Sequence, residues 1–160
     1  MQNSPTRKPW PLSSIVLVIA GFALVGTGLY FIIIRPPLLP EDFRYMALNA
    51  AQLDPVRPRL EPWLAQVFEV MGGYILATGV LTITIGATSF RQHDRVAALG
   101  VLIGGAASID LMAAVNFAID SNFKWALLVI ALVWTCSLVL FWSEARSQRS
   151  RAKDMHGETL

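Results

Sequence analysis

The sequence predicts an all-α integral membrane protein, a four-helix bundle with a short amphipathic helix in its first extracytoplasmic loop. Three observations predict it. Four apolar runs, at 12–34, 64–90, 96–119 and 125–142, are each about as long as the ~20 residues a helix needs to cross ~30 Å of hydrocarbon. The charged residues avoid these runs and collect between them. The runs are apolar on nearly every side, as helices surrounded by lipid and by one another must be. A closed barrel would need many alternating strands of ~10 residues, and no such alternation is present. With 54% hydrophobic residues in 160 positions, four spans leave almost no chain for a soluble domain. The organisation that follows is a cytoplasmic tail at 1–11, a transmembrane domain at 12–142 and a basic cytoplasmic tail at 143–160.

The first helix is expected over 12–34. Arg7 and Lys8 precede it, and Trp10 sits where an indole favours the headgroup region. The run exceeds a signal peptide's apolar core of ~7–15 residues and lacks a small-residue cleavage site, so it reads as a retained signal anchor. Arg35-Pro36-Pro37 stops it, because proline lacks an N–H and disfavours helix in the residue before it.

Residues 35–62 form the one long connection and hold six of the nine prolines, too many for a continuous helix. Within it, 40–53 has helix character, with Glu41 and Asp42 in the first turn, where the helix dipole favours acids. Phe43, Met46, Ala47, Ala50 and Leu53 fall on one face, predicting a helix lying on the membrane surface or over the mouth of the bundle. Asp54-Pro55 ends it, and Glu61-Pro62-Trp63 opens the second helix with proline in its first turn. The charged turn at 91–95 leads to the third helix and 120–124 to the fourth, which Trp125 and Trp142 bracket as interfacial anchors.

Basic residues near span ends set the orientation. With both termini cytoplasmic, eight Lys or Arg lie inside and five outside. The basic tail then rests near anionic headgroups. The net charge of +2 carries no argument for nucleic acid. The lone Cys136 excludes an internal disulfide and a paired-cysteine redox centre. No metal-ligand spacing surrounds His93 or His156, and no phosphate loop or nucleophile elbow is present. The expectation is therefore no cofactor, no metal and no catalytic residue.

Small residues mark the expected helix contacts. Gly21 and Gly28 are seven apart in the first helix, and Gly72, Gly79 and Gly86 repeat at seven in the second. A sevenfold spacing keeps them on one face apart from a slow drift. Glycine lets backbones approach, and close packing drives association in lipid. Gly100 and Gly104 form a GxxxG pattern in the third helix, read as internal packing against a neighbour or as a homodimer face.

One position stands apart. Asp110 lies within roughly one turn of the midplane if the third helix fills the hydrocarbon core, where an acid costs about 2.5–3.5 kcal/mol. No Lys or Arg lies deep in any run to pair with it. It is expected to face the bundle interior as a neutral carboxyl. Thr27, Thr78, Trp134 and Thr135 are its candidate neighbours by depth. Such a group is either an interhelical clasp or a proton-carrying or ligand-binding site. A second candidate is a polar pocket beneath the loop helix, formed by Glu69, Asn116 and Asp120.

The layout of four spans, with the segment Arg35-Pro-Pro-Leu-Leu-Pro-Glu-Asp-Phe-Arg-Tyr-Met46, resembles small four-helix bacterial inner-membrane proteins, among them the DoxX-like group. The resemblance implies a multi-pass protein of a bacterial inner membrane. For DoxX-like proteins it also implies association with redox partners and quinones. It carries no activity motif. Read from the residues, the chain is a non-enzymatic helix-packing, accessory or homo-oligomeric membrane component. The alternative is a proton- or small-molecule-binding unit centred on Asp110.

Overall fold

The computed structural model describes residues 9–157, with side chains described through residue 150. All regular structure among the described residues is helical. Four stretches are long and apolar enough to cross a membrane: Leu12–Ile33, Arg57–Gln92, Arg95–Ala118 and Lys124–Ser150. The chain is a multi-pass membrane protein with a helical bundle as its core.

The first span is α1, Leu12–Ile33. Two short helices follow, α2 at Pro40–Met46 and α3 at Ala50–Leu53. The sequence pattern suggested one helix here. Ala47 instead adopts a left-handed conformation (φ 54°) that breaks the chain. Local caps make two separate helices the better solution. Asp42 accepts the Leu39 N–H at 2.8 Å, and Asn49 and Gln52 cap each other's backbone at 2.8 and 3.0 Å. The apolar face expected for this segment does not form as a unit. Met46, Ala47 and Ala50 are exposed, Leu53 is buried, and so is the acid Glu41.

The second span, α4, starts at Arg57, earlier than Pro62 suggested, and runs to Ala87. A tight turn at Phe90–Gln92, with His93 left-handed, leads to α5 at Arg95–Gly105. Asp94 caps α5 by accepting the Val96 N–H at 2.8 Å. The third span then widens into a π turn at Ala106–Asp110 before resuming as α6, Leu111–Ala118. The last helix, α7, runs from Lys124 to Gly157 and continues well past Trp142, where the apolar run ends.

The spans form an arc rather than a closed ring. Helix α1 packs on α4 along one side and on α7 along another, and α7 packs on the third span. Between α1 and α4 the backbones nearly touch. A Cβ on Gly28 would sit 2.6 Å from the Leu76 amide nitrogen, and one on Gly79 would sit 2.7 Å from that of Val25. Gly21, Gly72 and Gly86 lie along the same seam. In lipid such packing replaces the hydrophobic effect as the cohesive force.

The arc is pinned at the end that carries both chain tails. Phe90 is fully buried there with its ring 4.6 Å from that of Phe141. Glu144 of α7 accepts from the Ser13 N–H at 3.2 Å and from the Ser13 hydroxyl at 2.5 Å, and lies 3.2 Å from His93 Nε2. A carboxylate from one helix thus caps a first-turn N–H of another, where the dipole also favours negative charge. The short turn between α4 and α5 holds those two helices together at this end alone.

Candidate functional site

Because α4 and the third span diverge from their shared turn, a cleft opens between them in the other half of the molecule, the loop end. It has a volume of about 930 Å³, within the ~300–1,000 Å³ usual for small-molecule sites. Helices α1 and α7 form its floor through Leu24, Thr27, Phe31, Leu127 and Ile130. Its walls are α4, from Val67 to Thr78, and the third span, from Ser108 to Ile119. The twelve residues from Ser108 to Ile119 rise roughly 16 Å, the length of the cleft along the third span. Val67, Val70, Met71 and Tyr74 on one lip and Leu111 and Val115 on the other are all exposed. The mouth therefore faces sideways, at the level of the lipid.

The deep end is mostly apolar. Thr27, Thr78 and Ser108 reach it, but each hydroxyl donates to a carbonyl one turn back in its own helix, Ala23, Tyr74 and Gly104 respectively. The loop end is polar, and helix α2 closes it. Glu41 is 2% exposed and accepts from the Ser121 hydroxyl at 3.2 Å and the Asn122 amide at 3.5 Å. Arg44 reaches the same turn, donating to the Asp120 carbonyl and to Asn122 Oδ1, both at 3.4 Å. These contacts strap α2 across the junction of α6 and α7.

Arg35 completes this end. Its guanidinium lies 3.4 Å over the Phe68 ring and 5.4 Å from Phe31. One nitrogen donates to the Pro36 carbonyl at 3.0 Å and another lies 3.9 Å from Asp42. Burial lowers the Arg35 pKa from its ordinary value, and the nearby Asp42, Tyr30 and Glu41 oppose that shift. Asn116 lines this end and donates one of its two amide N–H groups to the Met112 carbonyl at 2.8 Å.

The residues expected from the sequence divide. Thr27 and Thr78 line the deep end of the cleft, and Asn116 lines its loop end. Glu69 is exposed on the outside of α4. Asp120 is exposed and pairs with Lys124, whose hydrogen bond and charge hold its carboxyl below the usual range. Of Glu69, Asn116 and Asp120, expected to form a polar pocket beneath the loop helix, only Asn116 lines the cleft.

Asp110 differs most from expectation. It is exposed on the lipid side of the third span and makes no hydrogen bond with the described residues. It lies outside the cleft and is not gathered with Thr27, Thr78, Trp134 or Thr135. The rotation of the third span is fixed where it meets α7. Gly105 has no side chain, and Trp134 packs directly against it. The indole N–H donates to the Val101 carbonyl at 3.1 Å. The wide turn starts at the next residue, as happens where a side chain intrudes on a helix. The inward positions are Ala98, Val101, Gly105, Ile109 and Ala113, and at about 100° per residue Asp110 falls on the side opposite Val101. Thr135 and Cys136 are also exposed. Gly100 and Gly104 face outward too, with nothing within 4 Å of where a Cβ would stand, so internal packing is not their role.

Sequence reasoning missed Tyr30, Arg35, Glu41, Asp42 and Ser121 as members of one site. The signal available was the Arg35–Met46 segment itself, which combines three prolines with a charge cluster at a span end. No family model, curated protein or solved structure matches the chain.

Proposed function

We propose that this is a protein of a bacterial inner membrane, with both termini cytoplasmic, that binds a small amphipathic molecule drawn sideways from the bilayer. The cleft carries this reading. It is apolar along its length, polar at one end, open at lipid level and built on the rigid α1–α4 seam. The orientation rests on the excess of Lys and Arg at the tail end, and it puts the polar end of the cleft at the outer leaflet. The expected small-molecule site thereby moves from Asp110 to the cleft.

Gly26 supplies the test. It lines the cleft, and nothing lies within 4 Å of where its Cβ would stand. Gly26→Phe should fill the cleft without disturbing the helices. Protein purified in mild detergent and analysed by native mass spectrometry should retain a bound amphiphile, and Gly26→Phe should lose it. Equal retention by both proteins would refute the reading. Labelling of single cysteines at positions 50, 93 and 122 tests the topology; labelling of position 50 from the cytoplasm would reverse it.

A second reading, self-association, is favoured by Asp110. A carboxyl facing lipid near mid-span is unfavourable unless another helix covers it. Gly100, Ala107 and Ala114 lie on the same exposed side, seven apart, the spacing that seats α1 on α4. Disulfide cross-linking of Ala107→Cys in a Cys136→Ser background should give dimers in membranes that Asp110→Leu reduces. Random cross-linking along the face would rule this out.

A further inference from the structure

We propose that α2 is a lid over a second exit from the cleft: it lifts as a unit, so that an amphiphile entering sideways from lipid leaves at the outer surface. The inference rests on the cleft being a binding site and adds the route by which the occupant departs.

Helix α2 and its N-cap are a wall of the cleft. Leu39, Glu41 and Asp42 line the loop end together with Ser121 and Phe123. No other residue of 36–62 lines it. Lifting α2 alone therefore opens that end to water.

The seat of α2 is polar. The one buried residue in Pro40–Met46 is Glu41, whereas Tyr45 and Met46 are exposed. Four hydrogen bonds of 3.2–3.5 Å tie Glu41 and Arg44 to the turn at 120–122. Each of these groups meets water when α2 lifts, so the bonds that break are replaced and their net worth is small. Elements that bury little apolar surface are the ones that open locally. The α1–α4 seam, held by backbone contact, is the opposite case.

The flanking chain confines the movement. Ala47, with its φ of 54°, separates α2 from α3, and hinges are short breaks of this kind at element ends. Helix α3 is anchored on its own account, through buried Leu53 and the reciprocal cap of Asn49 and Gln52. On the other side, Arg35 stays stacked on Phe31 and Phe68. Helix α2 swings away from 120–122 while both flanks keep their places. With α2 down, the cleft opens toward lipid. With α2 up, it becomes a passage from the bilayer to the outer aqueous side, and the protein extracts its amphiphile for an acceptor in water.

The experiment uses the full chain in nanodiscs of zwitterionic lipid, in a Cys136→Ser background carrying Arg44→Cys and Asn122→Cys. Both positions are exposed and neither lines the cleft. Spin labels on the pair should show two distances, the longer one belonging to the lifted lid. The same pair, joined by a short cleavable bifunctional thiol reagent, pins the lid. Transfer of octadecanol from the nanodiscs to albumin should run at least about tenfold faster with the unpinned protein than with empty nanodiscs. Pinning should remove that gain, and cleaving the link should restore it. A single short distance, no gain over empty nanodiscs, or a gain that survives pinning would overturn the lid and leave the cleft as a site. Failure of a photoreactive octadecanol to label cleft residues, in wild type as in Gly26→Phe, would overturn the binding reading itself.

Discussion

The α1–α4 seam makes a sharp prediction about two glycines on one helix. Gly26→Ala adds a methyl group into open space, and Gly28→Ala adds the same group against backbone. In the second case the new Cβ would lie 2.6 Å from the Leu76 nitrogen, 2.7 Å from the Leu76 Cβ and 2.8 Å from the Gly72 carbonyl oxygen. Ordinary contact begins near 3.4 Å, so the helices must part by about 0.8 Å. None of these three atoms belongs to a flexible side-chain end, so rotamer change gives no relief. Overpacking of this kind costs about 1–3 kcal/mol, and opening the seam also loosens the contacts at Gly21 and Gly79. Gly26→Ala should be neutral or slightly stabilising, because alanine is the better helix former by up to about 1 kcal/mol. The two variants should differ by roughly 2 kcal/mol in equilibrium unfolding by SDS in mixed micelles. The same clash predicts non-additivity: Gly28→Ala and Gly72→Ala face one another, and the double variant should lose less than the two singles together. Equal stability of Gly26→Ala and Gly28→Ala would refute the close seam.

Three further outcomes are expected. Trp134→Phe keeps most of the ring but loses the hydrogen bond to Val101, and should cost about 1 kcal/mol in the same assay; Gly105→Ala, which drives a methyl group into the indole, should be worse. Glu144→Ala leaves the Ser13 N–H and hydroxyl without their acceptor and should destabilise the tail end by about 1–3 kcal/mol, with faster amide exchange confined to the first turn of α1. Lys124→Met should return the Asp120 carboxyl toward its ordinary range in an NMR titration. Because Lys124 depresses that group in the folded state, the pair's stabilisation is present above the unfolded carboxylate pKa and is lost only as pH falls through the lower folded value.

Much of this molecule follows from local properties of the chain. Span lengths come from the thickness of hydrocarbon and the run of apolar residues, and neither depends on neighbours. The glycine seam is legible for the same reason. Gly21, Gly28, Gly72, Gly79 and Gly86 repeat at seven, and close approach needs only the absence of a side chain at that period. Asn116 and the threonines could be placed by depth along their helices. What faces them could not, since depth carries no information about rotation.

The rest was decided by contacts between residues far apart in sequence. The direction of Asp110 depends on the rotation of the third span, which is fixed where Gly105 packs on Trp134 of α7. A helix read alone gives the relative directions of its residues but not which side meets a neighbour. The burial of Glu41 depends on Ser121 and Asn122, which supply the hydrogen bonds that make a buried acid tolerable. The cleft depends on the order of the spans around the arc. Apolar faces in lipid are interchangeable, so composition alone does not choose which helices pair. Steric fit chooses, and it places α4 on α1 and leaves its other side open beside the third span.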